Sequence, residues 1–559
     1  MTDSFIFKTE RPWPNARLDR AAIIGHTTNN STKIWVRTGL IGNYKLFVYP
    51  MAHKDAASFR SSMKRVPYDN RQFPKWVKVY SFEVKDFSTD ATYVQLVDGL
   101  QSFTNYGYAM QGKDDAGINR ILIGQDGLDN PMAYTFRTLS DGMTPFSFGF
   151  YSCHLPYAQS IFGRTEITNM DMWDSFSVTL QRHREETKLS FVIGGGDQVY
   201  VDGVDSLSIW KYLNSCMRKE NDQLFPGKDA MLSWYRDIYR GYWGFPQIKQ
   251  VFSQLPNYMI WDDHEFLDGW GSYFLKEGSR KDEMDEIFPD WQKKGLTWKD
   301  CLALLKNMSE CAIKVYEEYQ HSHNPDSGFY DYGFTTNGSA FYFQDGRSHR
   351  DVNRESNRIL GKEQLGRFTT WLQALDSKIT PYVFVISAVP LLHLHSTLVN
   401  SEGSIVDWAD LEDDLRDAWE HKLHKAERKQ LVELLFEAAG RGLKISILSG
   451  DVHVSAAFRM SRGNSVVYQL TSSAITYNLA LPMGWVLGAG VVDEGESPDN
   501  YHFKRLALYS ERNYALIKVD APQGKAEFQL YGPQSVSHPQ GATGDLPITH
   551  SMMKLELDF

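Results

Sequence analysis

Cysteine is scarce in this chain of 559 residues: the four present, Cys153, Cys216, Cys301 and Cys311, show no zinc-type spacing and are too few to frame a fold of this length with disulfides. Reduced thiols are expected. Long apolar runs are also missing. The least polar stretch, residues 479–492, is broken by Pro482, Gly484, Gly488 and Gly490 and falls short of the roughly 20 apolar residues a membrane span needs, so no integral membrane segment is predicted. Residues 1–10 lack the basic region and apolar run of a secretory signal, which points to a cytoplasmic location. There is no dense block of Lys or Arg, and with a formal net charge of −10 the chain has no overall attraction for a polyphosphate backbone. Nucleic acid is excluded as an expected partner, and nothing in the sequence sets the oligomeric state.

Aromatic residues, by contrast, are plentiful. With 32 Phe, 29 Tyr and 15 Trp the chain must bury a large core, and its length exceeds what one core usually serves, so two domains are expected. Residues 32–37, 44–49, 76–82, 93–97, 106–111 and 133–138 are short β-branched or aromatic runs between turns, with no helical periodicity of useful length among them. They predict a small all-β sandwich of immunoglobulin or fibronectin type over residues 1–143. The turn-rich Ser140-Asp-Gly-Met-Thr-Pro145 marks the boundary.

From residue 144 to 559 the pattern becomes α/β. Apolar runs at 146–151, 189–193, 258–261, 382–389 and 444–448 predict buried strands. Segments 229–240, 246–254, 297–320, 362–374 and 411–439 predict helices. More antiparallel strands are expected at 338–344, 465–470, 514–519 and 526–531, which makes a two-sheet core flanked by helices.

Chemistry-bearing residues follow four of the buried strands: Ser152-Cys-His154, Gly196-Asp-Gln-Val-Tyr200, Asp262-Asp-His-Glu265 and Gly450-Asp-Val-His453. In open α/β sheets the carboxyl ends of strands are where ligands gather, so these groups are expected to converge. Thiol, phenol, carboxylate and imidazole together form a set that holds transition metals, and so many carboxylates in one place require cations. Two metals a few ångströms apart suit phosphoester hydrolysis through an activated water. Asp197 is the candidate bridge, because Gly194, Gly195 and Gly196 before it leave the backbone room to turn.

Gly-Gly-Asp197-Gln-Val-Tyr200, Trp261-Asp-Asp-His-Glu265 and Ser449-Gly-Asp-Val-His453 resemble, in order, the signature motifs of the alkaline phosphatase D family within the calcineurin-like metallophosphoesterase superfamily. Asp345-Gly-Arg-Ser-His-Arg350 resembles its Asp-x-Arg segment. That resemblance implies a metallophosphoesterase-type two-sheet sandwich and a small phosphate ester as substrate. It further implies Cys153, Asp197, Tyr200, Asp263, Asp451 and His453 as metal ligands, with His264, beside Asp263, contacting phosphate and protonating the leaving oxygen. Thiolate and phenolate donors favour ferric iron and the carboxylates a hard cation such as calcium, with manganese or zinc as alternatives. His154, where the family often has Gln or Asn, is either a further ligand or a group behind the ligands. With His264 and Arg347 it completes the candidate substrate contacts.

Several residues also have ordinary structural readings. Asp262 suits a helix cap. Arg347 suits either a bidentate phosphate clamp or a pairing with Asp345. His393 and His395 suit structural histidines, and the charged runs 412–414 and 421–429 suit the solvated face of one long helix. A competing function is a non-catalytic metal-binding interaction protein with a degenerate phosphatase fold. Such a site would be expected to have lost one of Asp197, Asp263, His264 or His453, and all are present. Monoester and diester substrates are not distinguished.

Overall fold

Short runs of β-branched and aromatic residues fold the N-terminal part into two antiparallel sheets. The computed structural model describes residues 11–63, 73–125, 134–277, 280–395, 399–400, 412–477, 488–533 and 551–559. Residues 1–10, Ala133 and residues 479–487, which figure in the expectations above, lie outside them, as do the side chains of residues 412–414. One sheet joins Ala21–Thr27, Thr32–Arg37 and Thr92–Val97. The other joins Gly42–Pro50, Lys78–Val84, Asn105–Lys113, Asn119–Ile123 and Thr135–Arg137. Ile24, Ile34, Val36, Leu46, Val48 and Met110 share the core between them. An unexpected helix, Ala56–Met63, buries Ala56, Phe59 and Met63 beside Phe47 and Ala109 of the second sheet.

The rest of the chain builds two larger sheets. Phe146–Tyr151, Leu189–Gly195 and Asn257–Ile260 run parallel, and Tyr514–Asp520, Lys525–Tyr531 and Ser551–Glu556 extend them antiparallel to six strands. In the eight-stranded sheet Ser339–Phe343, Tyr382–Ile386, Lys444–Ser449 and Ser465–Thr471 are parallel. Strands covered on both faces read as near-continuous apolar runs, hence Phe-Ser-Phe-Gly-Phe-Tyr and Tyr-Val-Phe-Val-Ile. The sheets meet through phenylalanine edges and faces: Phe148 lies 5.2 Å from Phe341 and 5.1 Å from Phe384, ring centre to ring centre, and Phe191 lies 5.3 Å from Phe341. Helices Asp171–Thr187, Lys228–Tyr242, Pro246–Phe252 and Trp298–Tyr319 pack outside the first sheet, and Gly361–Gln373 and Lys425–Gly440 outside the second.

The single long helix expected over 411–439 is instead two, Glu412–Asp417 and Lys425–Gly440, joined through a turn and the short 3-10 helix Lys422–His424. The break has a physical cause. Glu420 turns away to accept the backbone N–H groups of His393 and Leu394, and His424 Nε2 meets the Arg416 carbonyl at 2.8 Å. Nor is the basic run solvated throughout: Glu427 and Arg428 are buried, and Glu427 accepts N–H bonds from Ile359, Leu360 and Gly361, at the start of the Gly361–Gln373 helix.

The two parts of the chain share hydrogen bonds and core. Trp35 Nε1 donates to the Glu318 carbonyl at 2.7 Å, Tyr108 Oη to that of Ser253 at 2.7 Å, and Lys33 Nζ to that of Asn324 at 2.7 Å. Ala21, Ile23 and Trp35 belong to the same apolar cluster as Trp234 and Leu304. The segment before the sandwich also lies on the second part: Leu18 N–H bonds to the Arg240 carbonyl at 2.6 Å, and the Trp13 indole bonds to Asp237 at 3.0 Å. No helix among the described residues is long and apolar enough to cross a membrane, and no disulfide joins any of the four cysteines.

Candidate metal centre

Parallel strands put their carboxyl ends on one side, so the loops leaving both sheets meet there. Backbone bonds knit them together: Cys153 N–H to Gly196 O at 3.3 Å, His154 N–H to Asp197 O at 2.9 Å, Gly450 N–H to Ala388 O at 2.9 Å and Ile475 N–H to Ser152 O at 2.9 Å. The turns are tight enough that Cys153, Asp197, Asp451 and His453 all adopt positive φ, 56°, 54°, 63° and 53°. Non-glycine residues enter that region at a cost, and such outliers gather at functional sites. Gly196, at φ 111°, has no room for a side chain: a Cβ would meet that of Asp262 at 2.9 Å.

One carboxylate oxygen from each of Asp197, Asp262, Asp263 and Asp451 lies within 4.8 Å of the others, and Asp197 and Asp263 make a second such group with His264. Asp197, Asp262 and Asp263 are buried, yet Asp197 Oδ1, Asp262 Oδ2, Asp263 Oδ1 and also His453 Nδ1 have no hydrogen-bond partner. Buried polar atoms are seldom left this way, and four acids this close repel one another. Burial, then the neighbouring carboxylates, pushes Asp197 and Asp451 far above the usual acid range. Burial also raises Asp262, even against Arg347, whereas for Asp263 burial is outweighed by Arg347 and His264, which hold it low. Hard oxygen donors, orphaned and crowded, fit cations: bound ions would ionise the acids and complete the missing contacts.

Tyr200 and Cys153 stand beside this group. Tyr200 Oη reaches Asp197 Oδ2 at 3.1 Å. Cys153 Sγ lies 3.1 Å from Ser473 Oγ, 3.3 Å from Ser152 Oγ and 3.7 Å from the Asp451 carbonyl. Both are fully buried, which drives thiol and phenol upward, with the charge of Asp197 adding to the effect. His453 lies flat on Tyr477, ring centres 3.9 Å apart and planes 6° off parallel. Neither Cys153 nor His453 is among the mutually close donors.

His264 stacks on Tyr200 at 4.0 Å. Its Nδ1 is 2.8 Å from Asp202 Oδ1, and Asp202 Oδ2 accepts the Asp268 N–H at 2.6 Å. Nε2 is the freer nitrogen, 3.8 Å from the half-exposed Asp268 carboxylate. Burial works against charge on this ring, but Asp202, Asp263, Asp268 and Asp197 outweigh it and raise it well above its ordinary value.

Two candidate substrate contacts take other places. Arg347 is fully buried with its guanidinium spent: Nη1 and Nη2 grip Asp417 at 2.7 and 2.8 Å, Nε bonds to Asp262, and Nη2 approaches Asp263 Oδ1 at 3.4 Å. It backs the acids rather than clamping phosphate. Its pairing is not with the Asp345 side chain by guanidinium either, since Asp345 Oδ1 accepts the Trp261 indole N–H at 2.9 Å and the Arg347 backbone N–H at 3.2 Å. His154 is buried with both nitrogens engaged, Nε2 by the Tyr242 carbonyl at 3.1 Å and Nδ1 by Trp173 Nε1 at 3.2 Å and Thr476 Oγ1 at 3.3 Å. It is a structural histidine. His393 is buried against Phe458, apart from the close donor group, and burial leaves it neutral. Asp262 is the N-cap of the 3-10 helix Asp263–Glu265, as read from sequence, in a capping box whose return bond is Glu265 Oε2 accepting Asp262 N–H at 2.7 Å, and its carboxylate also joins the acidic group. Asp202 and Asp417 escaped the sequence reading. Asp202 had one available signal, its place five residues after Asp197 on the same loop.

Comparison with known proteins bears on the family and the fold. A family model described as PhoD-like phosphatase matches residues 169–482. The protein YGR266W of Saccharomyces cerevisiae, itself described as uncharacterized, is 25% identical over 334 residues, which are 50% of this chain and 46% of that protein. The chain thus spans less than half of that relative's length. Among solved structures, one titled "Structure of PhoD" superposes with a TM-score of 0.59 at 15% identity, covering 95% of this chain and 89% of that one. A purple acid phosphatase, PPD1, from yellow lupin (Lupinus luteus) seeds superposes with a TM-score of 0.50 at 11% identity, covering 93% and 72%.

Proposed function

The chain belongs to the PhoD-like phosphatase family, and from that premise we propose that it hydrolyses phosphate esters, monoesters or diesters, with metal ions held by the loops at the carboxyl ends of its two sheets. The observation that carries this reading is the group of four crowded carboxylates, three of them with an orphaned buried oxygen. Asp197, Asp263, Asp451 and Asp262 would hold the ions, Asp197 between them, with Cys153, Tyr200 and His453 completing the set. Thiol and phenol donors favour ferric iron and the carboxylates calcium, manganese or zinc being the alternatives. When bound, the ions supply Lewis-acid polarisation of the phosphoryl group and an activated water.

The chain's own residues do the rest. His264 presents Nε2 to the leaving oxygen and gives it a proton. Asp202 fixes the ring by accepting the Nδ1–H at 2.8 Å, so the proton that the charged ring gives up is the one on Nε2. Arg347 offsets the charge of Asp262 and Asp263 from behind, so the acids stay in place before and after ions bind.

Elemental analysis of purified protein, joined to a panel of phosphomonoesters and phosphodiesters, tests the reading. Hydrolysis that chelation stops and added metal restores is expected. Protein without bound metal, or turnover indifferent to chelation, would overturn it.

A further inference from the structure

The loop that follows Ser465–Thr471 carries no candidate ligand, yet it touches three of them. Ser473 Oγ accepts the His453 backbone N–H at 3.0 Å and lies 3.1 Å from Cys153 Sγ. The hydroxyl can still donate its hydrogen to the sulfur or accept the thiol proton on its second lone pair. Tyr477 donates its backbone N–H to the Cys153 carbonyl at 3.4 Å. Its ring lies on that of His453 at 3.9 Å and beside that of Tyr200 at 5.8 Å, 24° from parallel. Tyr200 stacks in turn on His264. The loop itself is anchored: Ser473 N–H bonds to Ser455 Oγ at 3.0 Å, and Ser472 Oγ to Asn513 Oδ1 at 2.8 Å.

We propose that Ser473 and Tyr477 are positioning residues for the metal centre, a clamp from the eight-stranded sheet that fixes Cys153 and Tyr200, on loops of the six-stranded sheet, against His453 on a loop of its own. The inference rests on the function proposed above. Cys153 and His453 sit beside the carboxylate group rather than within it, and Tyr200 touches it through Asp197, so something must set their distance from it. Cys153 and His453 also hold strained backbone, which persists only where neighbours over-determine it. Partners of this kind orient ligands without touching the metal, and losing one typically costs about 10- to 100-fold in metal affinity or activity.

The test uses the full chain with four variants: S473A, S473T, Y477L and Y477F. Each is read by metal content after dialysis, by the rise in melting temperature on adding metal, and by kcat and KM. S473A deletes one atom from a buried position and is expected to fold. In S473A and Y477L metal retention should fall about 10- to 100-fold, with kcat falling alongside and KM little changed. S473T, which keeps the hydroxyl, and Y477F, which keeps the ring, should recover most of the loss. Wild-type metal content and kcat in both S473A and Y477L overturns the clamp, as does a Y477F as impaired as Y477L. If the wild-type chain itself takes up no metal, the functional reading fails first and the inference falls with it, so the two failures are told apart by the wild-type measurement.

Discussion

At the scale of single residues the centre divides labour among side chains that look alike in sequence. Asp197→Asn removes the charge of an acid common to both groups of close donors while keeping its shape. Metal content should drop at both positions and turnover should vanish, as measured by elemental analysis and phosphate release; normal values for both would remove Asp197 from its bridging role. His264→Ala should keep its metal and lose roughly 10²- to 10⁴-fold in kcat, the range for a positioned proton donor. Asp202→Asn leaves that ring present but unheld, so a smaller loss in kcat at unchanged KM is expected. A loss in Asp202→Asn as large as in His264→Ala would mean that Asp202 does more than orient. Tyr200 offers a visible check. If its oxygen meets ferric iron, the protein is coloured by phenolate-to-iron charge transfer, and Tyr200→Phe, which deletes that oxygen alone, bleaches it. An iron-containing wild type without such a band would put the phenol elsewhere.

At the scale of elements, the acids depend on a helix far away in the chain. Asp417, at the end of Glu412–Asp417, holds both Arg347 and Arg350, at 2.7 and 2.8 Å, and Arg347 holds Asp262. Asp417→Ala would take from Arg350 the carboxylate it pairs with and leave Arg347 only Asp262 and Asp263 as carboxylate partners; removing one partner of a buried pair costs about 3–5 kcal/mol. Chemical denaturation should register that loss, and an unchanged midpoint would show that water or another acid replaces the carboxylate. The same contact explains what sequence could reveal and what it could not. Asp197, Asp263 and Asp451 were legible because each follows a short apolar run, and strand ends converge by topology alone. The partner of Arg347 was not legible because it lies 70 residues onward, with no local pattern joining them. The role of His154 stayed open for a similar reason: its neighbour Cys153 is at the site, but its own bonds go to Tyr242, Trp173 and Thr476. The Asp171–Thr187 and Ile209–Cys216 helices were missed outright. The broken helix at 417–425 was hidden because its acids bond to distant backbone rather than along their own helix.

At the scale of the whole molecule, the sandwich and the catalytic part look separable in sequence, and no candidate ligand lies before residue 144. Their joint is nonetheless built like an interior. A chain truncated before residue 144 would lose Trp35 and the strand residues Ala21 and Ile23 from a shared core, and would take the Trp35 and Tyr108 donors from the Glu318 and Ser253 carbonyls. It should melt lower than the full chain and bind a hydrophobic dye. A truncated chain as stable as the full one would make the joint incidental. The path of the backbone adds a consequence. Residues 11–18 are pinned to the catalytic part before the sandwich begins, and the turn that leaves the sandwich exposes Asp141, Gly142 and Met143. The sandwich is therefore tethered at both ends and bonded across its middle, so the covalent link at that turn is not what holds it in place. A protease that nicks the turn should yield two chains on a denaturing gel, while the native protein still elutes as one particle with its activity intact.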